Sequence, residues 1–221
     1  NMQTNPLAII LGAGPGISQG VARRFGREGF HMVLAARRPD QLDELCTELR
    51  GQGISCEGRA VDLTDATAVN QLIDALGSER QLPEMVLFNA SAMHVCDVLE
   101  EDWEVIRGCF EVCVAGAFHV ARRLMPTMLS ENRGKLFFTG GGTALRGEPM
   151  MSSLSIGKAG MRNLVQALAR RAEGSNVHVA QVTVRGRVHP EDPKFNPDAI
   201  AETYWGLYRQ APGEYTHEVM Y

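Results

Sequence analysis

Short apolar runs recur along this chain, and nearly every one is followed by a helix-length stretch before the next begins. The runs are Leu7–Leu11, His31–Ala36, Ile54–Asp62, Met85–Asn89, Lys135–Thr139 and Val177–Val184, with a last short one near Thr216–Met220. Strands joined by connections of that length pair in parallel, because antiparallel neighbours are typically joined by short hairpin turns. Right-handed crossovers then place helices on both faces of the sheet. The rhythm predicts an α/β fold: a doubly wound parallel sheet of Rossmann type. With 221 residues, 44% of them hydrophobic, the chain can bury one sizeable core. A single domain over residues 2–221 is expected, Asn1 ahead of Met2 being set aside as foreign to the fold.

The net charge is −4, and Lys and Arg are scattered, so there is no electrostatic footprint for nucleic acid or an anionic membrane. The longest apolar runs, such as Leu7–Leu11 and Met85–Phe88, fall far short of the roughly 20 residues that span a bilayer. No basic, apolar leader opens the sequence, and a cytoplasmic protein acting on small molecules is expected. Five scattered cysteines, Cys46, Cys56, Cys96, Cys109 and Cys113, suit a reducing compartment better than a disulfide framework. Cys109 and Cys113 share a helix face at i, i+4, but without converging ligands they read as buried thiols, and no metal site is expected.

Leu11 runs into Gly12-Ala13-Gly14-Pro15-Gly16-Ile17-Ser18, and a helical pattern carried by Val21, Ala22 and Phe25 follows. Glycines let the backbone turn tightly and approach a pyrophosphate, while the free N–H groups and dipole of the helix N-terminus stabilise the anion. Against a strict G-x-G-x-x-G, Gly12 and Gly14 match and Ile17 stands in the third glycine's place. The second strand ends at Ala36, where an NAD-preferring fold offers a carboxylate to the ribose. Arg37 and Arg38 follow it, and arginine accommodates a 2′-phosphate. The expected cofactor is therefore NADP(H) in preference to NAD(H).

These residues resemble the short-chain dehydrogenase/reductase family over nearly the whole chain. The turn resembles T-G-x-x-x-G-x-G, keeping Gly12 and Gly16 with Leu11 and Ser18 in the flanking places. Asp62-Leu63 resembles the pair that holds the adenine, Phe88-Asn89-Ala90-Ser91 is a variant of N-N-A-G, and Arg185-Gly186-Arg187-Val188 is similar to the P-G-x-V/I segment at the nicotinamide. The resemblance implies cofactor contacts from Gly12, Gly14, Gly16, Ile17, Arg37, Arg38, Asp62, Leu63, Asn89, Ala90, Lys158, Gly186 and Val188.

Catalysis in that family uses a Tyr, a Lys four residues later, a Ser about thirteen before the Tyr, and an Asn on an earlier helix. Here Lys158 fits the lysine and is the one catalytic residue carried over. Leu154 occupies the Tyr position, Gly141 the Ser position and Cys113 the Asn position. Leucine cannot exchange a proton. Replacements to weigh are Thr143, Ser153, Ser155, Cys113, His94, Tyr204 and Tyr208. Two readings remain open: an NADP(H)-dependent oxidoreductase with an atypical site, its substrate unknown, or a noncatalytic dinucleotide-binding module serving as a sensor or assembly partner.

The segment after Gly186, which often covers the substrate in this family, looks short and mobile, and Pro197 should open one further helix. The family commonly forms a homodimer or homotetramer through two helices. Their apolar positions here are Val112, Ala115, Phe118 and Ala121, and Met161, Leu164, Val165 and Leu168.

Overall fold

A computed structural model describes residues 5–221; residues 1–4, with the domain start expected at Met2, lie outside the described residues. Seven strands form one sheet in the order β3-β2-β1-β4-β5-β6-β7, and every paired neighbour is parallel. They are β1 Leu7–Leu11, β2 His31–Ala36, β3 Cys56–Ala60, β4 Met85–Phe88, β5 Lys135–Gly141, β6 His178–Val184 and β7 Glu218–Met220. The helices are α1 Ile17–Arg27, α2 Pro39–Gly51, α3 Ala66–Glu79, α4 Trp103–Phe110, α5 Gly116–Glu131, α6 Ser152–Arg171 and α7 Pro197–Tyr208. A π turn, Glu111–Ala115, joins α4 to α5.

Side chains alternate along β1. Leu7, Ile9 and Leu11 enter one core layer with α3, α5 and α6, while Ala8 and Ile10 enter the other with α1, α2 and α7. Burial on both faces is why the strands read as continuous apolar runs. The second layer carries an edge-to-face aromatic cluster in which Phe25 meets Phe30, Trp205 and Tyr208 at 5.1–5.5 Å between ring centroids. Such pairs contribute about 0.5–1.5 kcal/mol each beyond their buried area.

Several strand ends differ from expectation by one or two residues, β4 stopping at Phe88, β6 starting at His178 and β3 starting at Cys56 among them. β3 stops at Ala60 because Asp62 turns the chain, its Oδ1 accepting from Thr64 N and Thr64 Oγ1. β5 runs on to Gly141, which pairs with Val184. β7 begins only at Glu218, since Thr216 N is held by the side chain of Gln210. The helix expected at Pro197 forms, capped by Asn196 Oδ1 on Ala199 N at 2.8 Å.

Helix α7 lies on α1 through Gly20, where a Cβ would stand 2.4 Å from the Pro197 carbonyl oxygen. Arg23–Asp198 and Arg24–Glu202 ion pairs flank that contact. The segment after Gly186 is knit rather than loose. His189 N donates to Phe195 O, Asp192 Oδ1 accepts from Lys194 N and Phe195 N, and the Phe195 ring packs on Tyr221. Among the described residues no helix is long and apolar enough to cross a membrane.

Candidate cofactor and active site

Carboxyl ends of parallel strands, at the point where strand order reverses, form the crevice that ligands use in open α/β sheets. Here β1 lies between β2 and β4, and a cleft of about 280 Å³ opens beyond their ends. Its walls bring together Gly12, Gly14, Arg37, Arg38, Asp62, Leu63, Asn89 and Ala90 from the expected set. Gln41, Thr64, Ser91 and Val112 also line it. No motif marks Gln41 or Val112, whereas Thr64 had a signal, since Asp-x-Thr predicts an Asx turn.

Each glycine of the turn has its own reason. Gly12 sits at φ +80°, and a Cβ there would stand 2.4 Å from Ala90 N, so this position lets β1 and the β4 end close on each other. At Gly14 a Cβ would meet nothing within 4 Å. Open space at a cleft wall beside the first turn of α1 leaves room for a pyrophosphate, and the residues fit a dinucleotide. Gly16, at φ +102°, caps α1, and Ile17 packs against the core layer beneath; neither lines the cleft.

A directional chain of hydrogen bonds crosses beneath it. Tyr204 OH and Thr139 Oγ1 stand 2.6 Å apart, Thr139 donates to Asn89 Oδ1 at 2.6 Å, Asn89 Nδ2 donates to Ser18 Oγ at 2.8 Å, and Ser18 donates to Gly12 O at 3.3 Å. Thr139 has one hydroxyl hydrogen, so Tyr204 must be the donor to it. Four elements, α7, β5, β4 and α1, are thereby tied to the glycine turn. Losing one member orphans a buried partner, which costs about 1–3 kcal/mol.

Arg37 and Arg38 are exposed at the cleft, and among the described residues neither forms an ion pair. Asp62 is held below the usual carboxylate range by hydrogen bonds from Thr64, with the Arg37 charge adding to them. Gly186 and Val188 stand away from the cleft wall. A Cβ on Gly186 would strike the Phe195 ring at 2.4 Å, and Val188 packs on the core.

Lys158 is buried under β5, its Nζ donating to Thr139 O at 2.8 Å. The ammonium has three donors and one protein partner. Burial pushes its pKa below the usual lysine range, with the Cys113 sulfur acting in the opposite sense. Cys113 fills the space against Gly157, where a Cβ would stand 3.1 Å from its Sγ. The π turn at Glu111–Ala115 carries Cys113, and such turns shift the register of the helix that follows.

Most of the alternative proton donors are engaged elsewhere. Ser153 Oγ bonds the backbone of His94, and Ser155 Oγ takes Glu148 N and donates to Met151 O. Tyr208 donates to Glu84 at 2.6 Å, and burial pushes the Tyr208 and Tyr204 hydroxyls well above the usual tyrosine range. His94 Nδ1 pairs with Glu101. Thr143 differs, because its Oγ1 is buried with no hydrogen-bond partner among the described residues. It lies beside Gly141, whose Cβ position is 3.8 Å from Thr143 Oγ1 and 3.9 Å from Lys158 Cγ.

An uncompensated buried ammonium works against folding. Its folded pKa lies below the unfolded value of about 10.4, so the unfolded state binds more protons between the two values, and Lys158 costs stability that is regained only as pH rises toward the unfolded value. Lys158→Met should therefore raise stability at pH 7 by at least about 1 kcal/mol. The gain should shrink as pH rises toward about 10.4. Denaturant melts of both proteins at pH 7 and pH 10 check this; a variant less stable at pH 7 would make Lys158 a structural residue.

The short chain dehydrogenase family profile matches residues 6–187. An uncharacterized oxidoreductase of Myxococcus xanthus (strain DK1622) is 28% identical over 172 residues, covering 78% of this chain and 68% of that protein. The chain thus spans about two thirds of the length of such curated relatives. The crystal structure of a short-chain dehydrogenase from Rhodopseudomonas palustris superposes with a TM-score of 0.86 at 29% identity, covering 98% of this chain and 97% of that one. A metagenomic short-chain oxidoreductase solved in complex with NADP shares the fold, with a TM-score of 0.88 at 22% identity and coverage of 98% and 96%. With the sheet order, the glycine turn and a profile match over most of its length, the chain belongs to the short chain dehydrogenase family.

Proposed function

We propose that this protein is an NADP(H)-dependent oxidoreductase whose cofactor-binding end is intact and whose proton-donating end is reduced. The observation that carries the cofactor choice is the pair of exposed arginines, Arg37 and Arg38, without ion-pair partners among the described residues, on a cleft wall whose strand ends in Ala36 rather than a carboxylate. The NADP found in a relative of the same fold agrees with it. The dinucleotide, when bound, supplies the hydride. Gly12, Gly14 and the N-terminus of α1 would take the pyrophosphate, Asp62 and Leu63 the adenine, and Asn89 and Ala90 the part of the cofactor that follows. Lys158, with donors to spare, would hold the nicotinamide ribose.

Thr143 is the hydroxyl free to orient a substrate oxygen. An unassisted threonine has too high a pKa to act as an efficient general acid. Substrates that accept hydride without a protein proton, such as activated double bonds, or those that take their proton from water, suit this site better than simple ketones. The second reading, a noncatalytic dinucleotide-binding module, is favoured by one observation: Ser153, Ser155, Tyr204 and Tyr208 are all committed to other partners. Turnover against a panel of carbonyls and activated alkenes separates the two. The five free thiols support a reducing, cytoplasmic setting.

Association through α5 and α6 is part of the proposal. Ala121, Met161 and Val165, expected on the pairing faces, are instead buried in the chain's own core. Phe118 and Ile156 remain 44% exposed and Phe110 40% exposed, with Val112, Ala115, Leu164 and Leu168 half-buried around them. Light scattering should report a dimer or tetramer at micromolar concentration, and a monomer there would refute the pairing.

Charge-assisted bonds from a guanidinium to the 2′-phosphate should make NADPH bind about 10- to 100-fold more tightly than NADH. Arg37→Ala should remove most of that difference. Fluorescence titration of both cofactors reads it, and equal affinities in the unaltered protein would overturn the assignment.

Reduction of a simple ketone should run about 10²- to 10⁴-fold below what a positioned acid allows. Gly141→Ser meets only ordinary contacts at 3.8–3.9 Å, so Leu154→Tyr with Gly141→Ser should raise the rate. Brisk ketone reduction by the unaltered protein, retained in Lys158→Ala, would mean that another donor does the chemistry.

A further inference from the structure

We propose that His94, Cys96 and Glu101, on the connection between β4 and α4, form a zinc-binding site, against the expectation from sequence that the chain has none. One ligand atom from each of the three lies within 4.8 Å of the others. Zinc takes sulfur at about 2.3 Å and nitrogen or oxygen at about 2.0–2.2 Å in a tetrahedron, so bound ligands stand about 3.4 Å apart. Closing the remaining gap asks for side-chain movement of at most about 1.4 Å by this geometry, and the His94 side chain, 55% exposed, is free to make it.

A second observation is the state of Glu101. Its side chain is 1% exposed, yet its one ion-pair partner among the described residues is a histidine, which carries charge only when protonated. Its remaining hydrogen bond comes from Asp102 N at 3.2 Å. Buried carboxylates are ordinarily paired with a lasting cation or coordinate a metal. A divalent ion would supply that charge, and one thiolate, one carboxylate and one neutral imidazole neutralise it.

The ligands are also held in place by the fold. His94 N donates to Ser153 Oγ at 3.0 Å. Cys96 N donates to Met150 O at 3.1 Å and Val98 N to Pro149 O at 2.9 Å. Glu101 immediately precedes Asp102, the capped start of α4. Burial, and then the charges of Glu101, Glu100 and Asp97, keep the Cys96 thiol above its usual range. Coordination would release that thiol proton to solvent. Thiolate with imidazole selects zinc over magnesium or calcium, which take oxygen ligands. Three protein ligands leave a fourth position for water. Because Ser153 precedes Leu154, the ion would also fix the loop to the start of α6, beside the proposed substrate position.

Titration of the purified chain with Co²⁺ under reducing, anaerobic conditions tests this without any need for turnover. The expected result is a near-ultraviolet thiolate-to-cobalt band that saturates at one equivalent and is abolished by Zn²⁺. Cys96→Ser should remove the band, and chelator competition should show zinc affinity reduced about 100-fold in both Cys96→Ser and His94→Ala. Circular dichroism establishes that each variant is folded. Should Cys96→Ser fail to fold, His94→Ala, altered at an exposed side chain, decides the matter. Absence of the band in the unaltered protein, its persistence in Cys96→Ser, or unchanged zinc affinity in His94→Ala would each overturn the proposal.

Discussion

The chain of hydrogen bonds from Tyr204 through Thr139, Asn89 and Ser18 to the Gly12 carbonyl is the constraint on which the rest of the site depends. Its members come from α7, the ends of β5 and β4, and α1, so the carboxyl edge of the sheet is fixed as one piece. The Tyr204 hydroxyl also stands 3.4 Å from the Phe138 carbonyl oxygen, so its end of the chain is held to β5 twice. A network satisfied in this way specifies a single arrangement, whereas a partly satisfied one is worse than an apolar core. Tyr204 is the far anchor of this chain, and its burial explains why a tyrosine that chemistry would nominate as an acid serves architecture instead.

That frame holds two halves that differ in what they offer a ligand. On the cofactor side, close approach at Gly12 and open space at Gly14 shape a cleft walled by arginine. On the side of Lys158, the buried amine has one carbonyl partner among the described residues, flanked by a glycine, a leucine and a cysteine at positions where the family resemblance implies proton-handling side chains. Folding gains nothing from such a lysine. On the proposed reading a bound ribose would use the spare donors.

Much of this was legible in sequence because it depends on local period and local turns. The alternating runs located all seven strands, and Gly12-Ala13-Gly14-Pro15-Gly16 located the cleft. Features set by contacts between distant segments were not legible. Gly20 is small because Pro197 lies on it, and Gly186 because Phe195 does, pairs that no spacing reveals. Ser153 and Ser155 looked available until the fold placed backbone groups against them. The segment after Gly186 looked mobile because its composition is polar and proline-rich, yet the Asp192 turn orders it. Alternation alone also could not show that Met161, Val165 and Ala121 face inward, since an amphipathic stripe does not name its partner.

The proposed function stands on a dinucleotide held between the glycine turn and Arg37 and Arg38, with no side-chain acid at the nicotinamide. A crystal structure of the NADP⁺ complex tests this most directly. The account predicts the 2′-phosphate between Arg37 and Arg38, the nicotinamide ribose on Lys158 Nζ, and water rather than a side-chain acid where Leu154 leaves the tyrosine position empty of a hydroxyl. A dinucleotide bound elsewhere, or a tyrosine or histidine from this chain or a second copy reaching the nicotinamide, would contradict it.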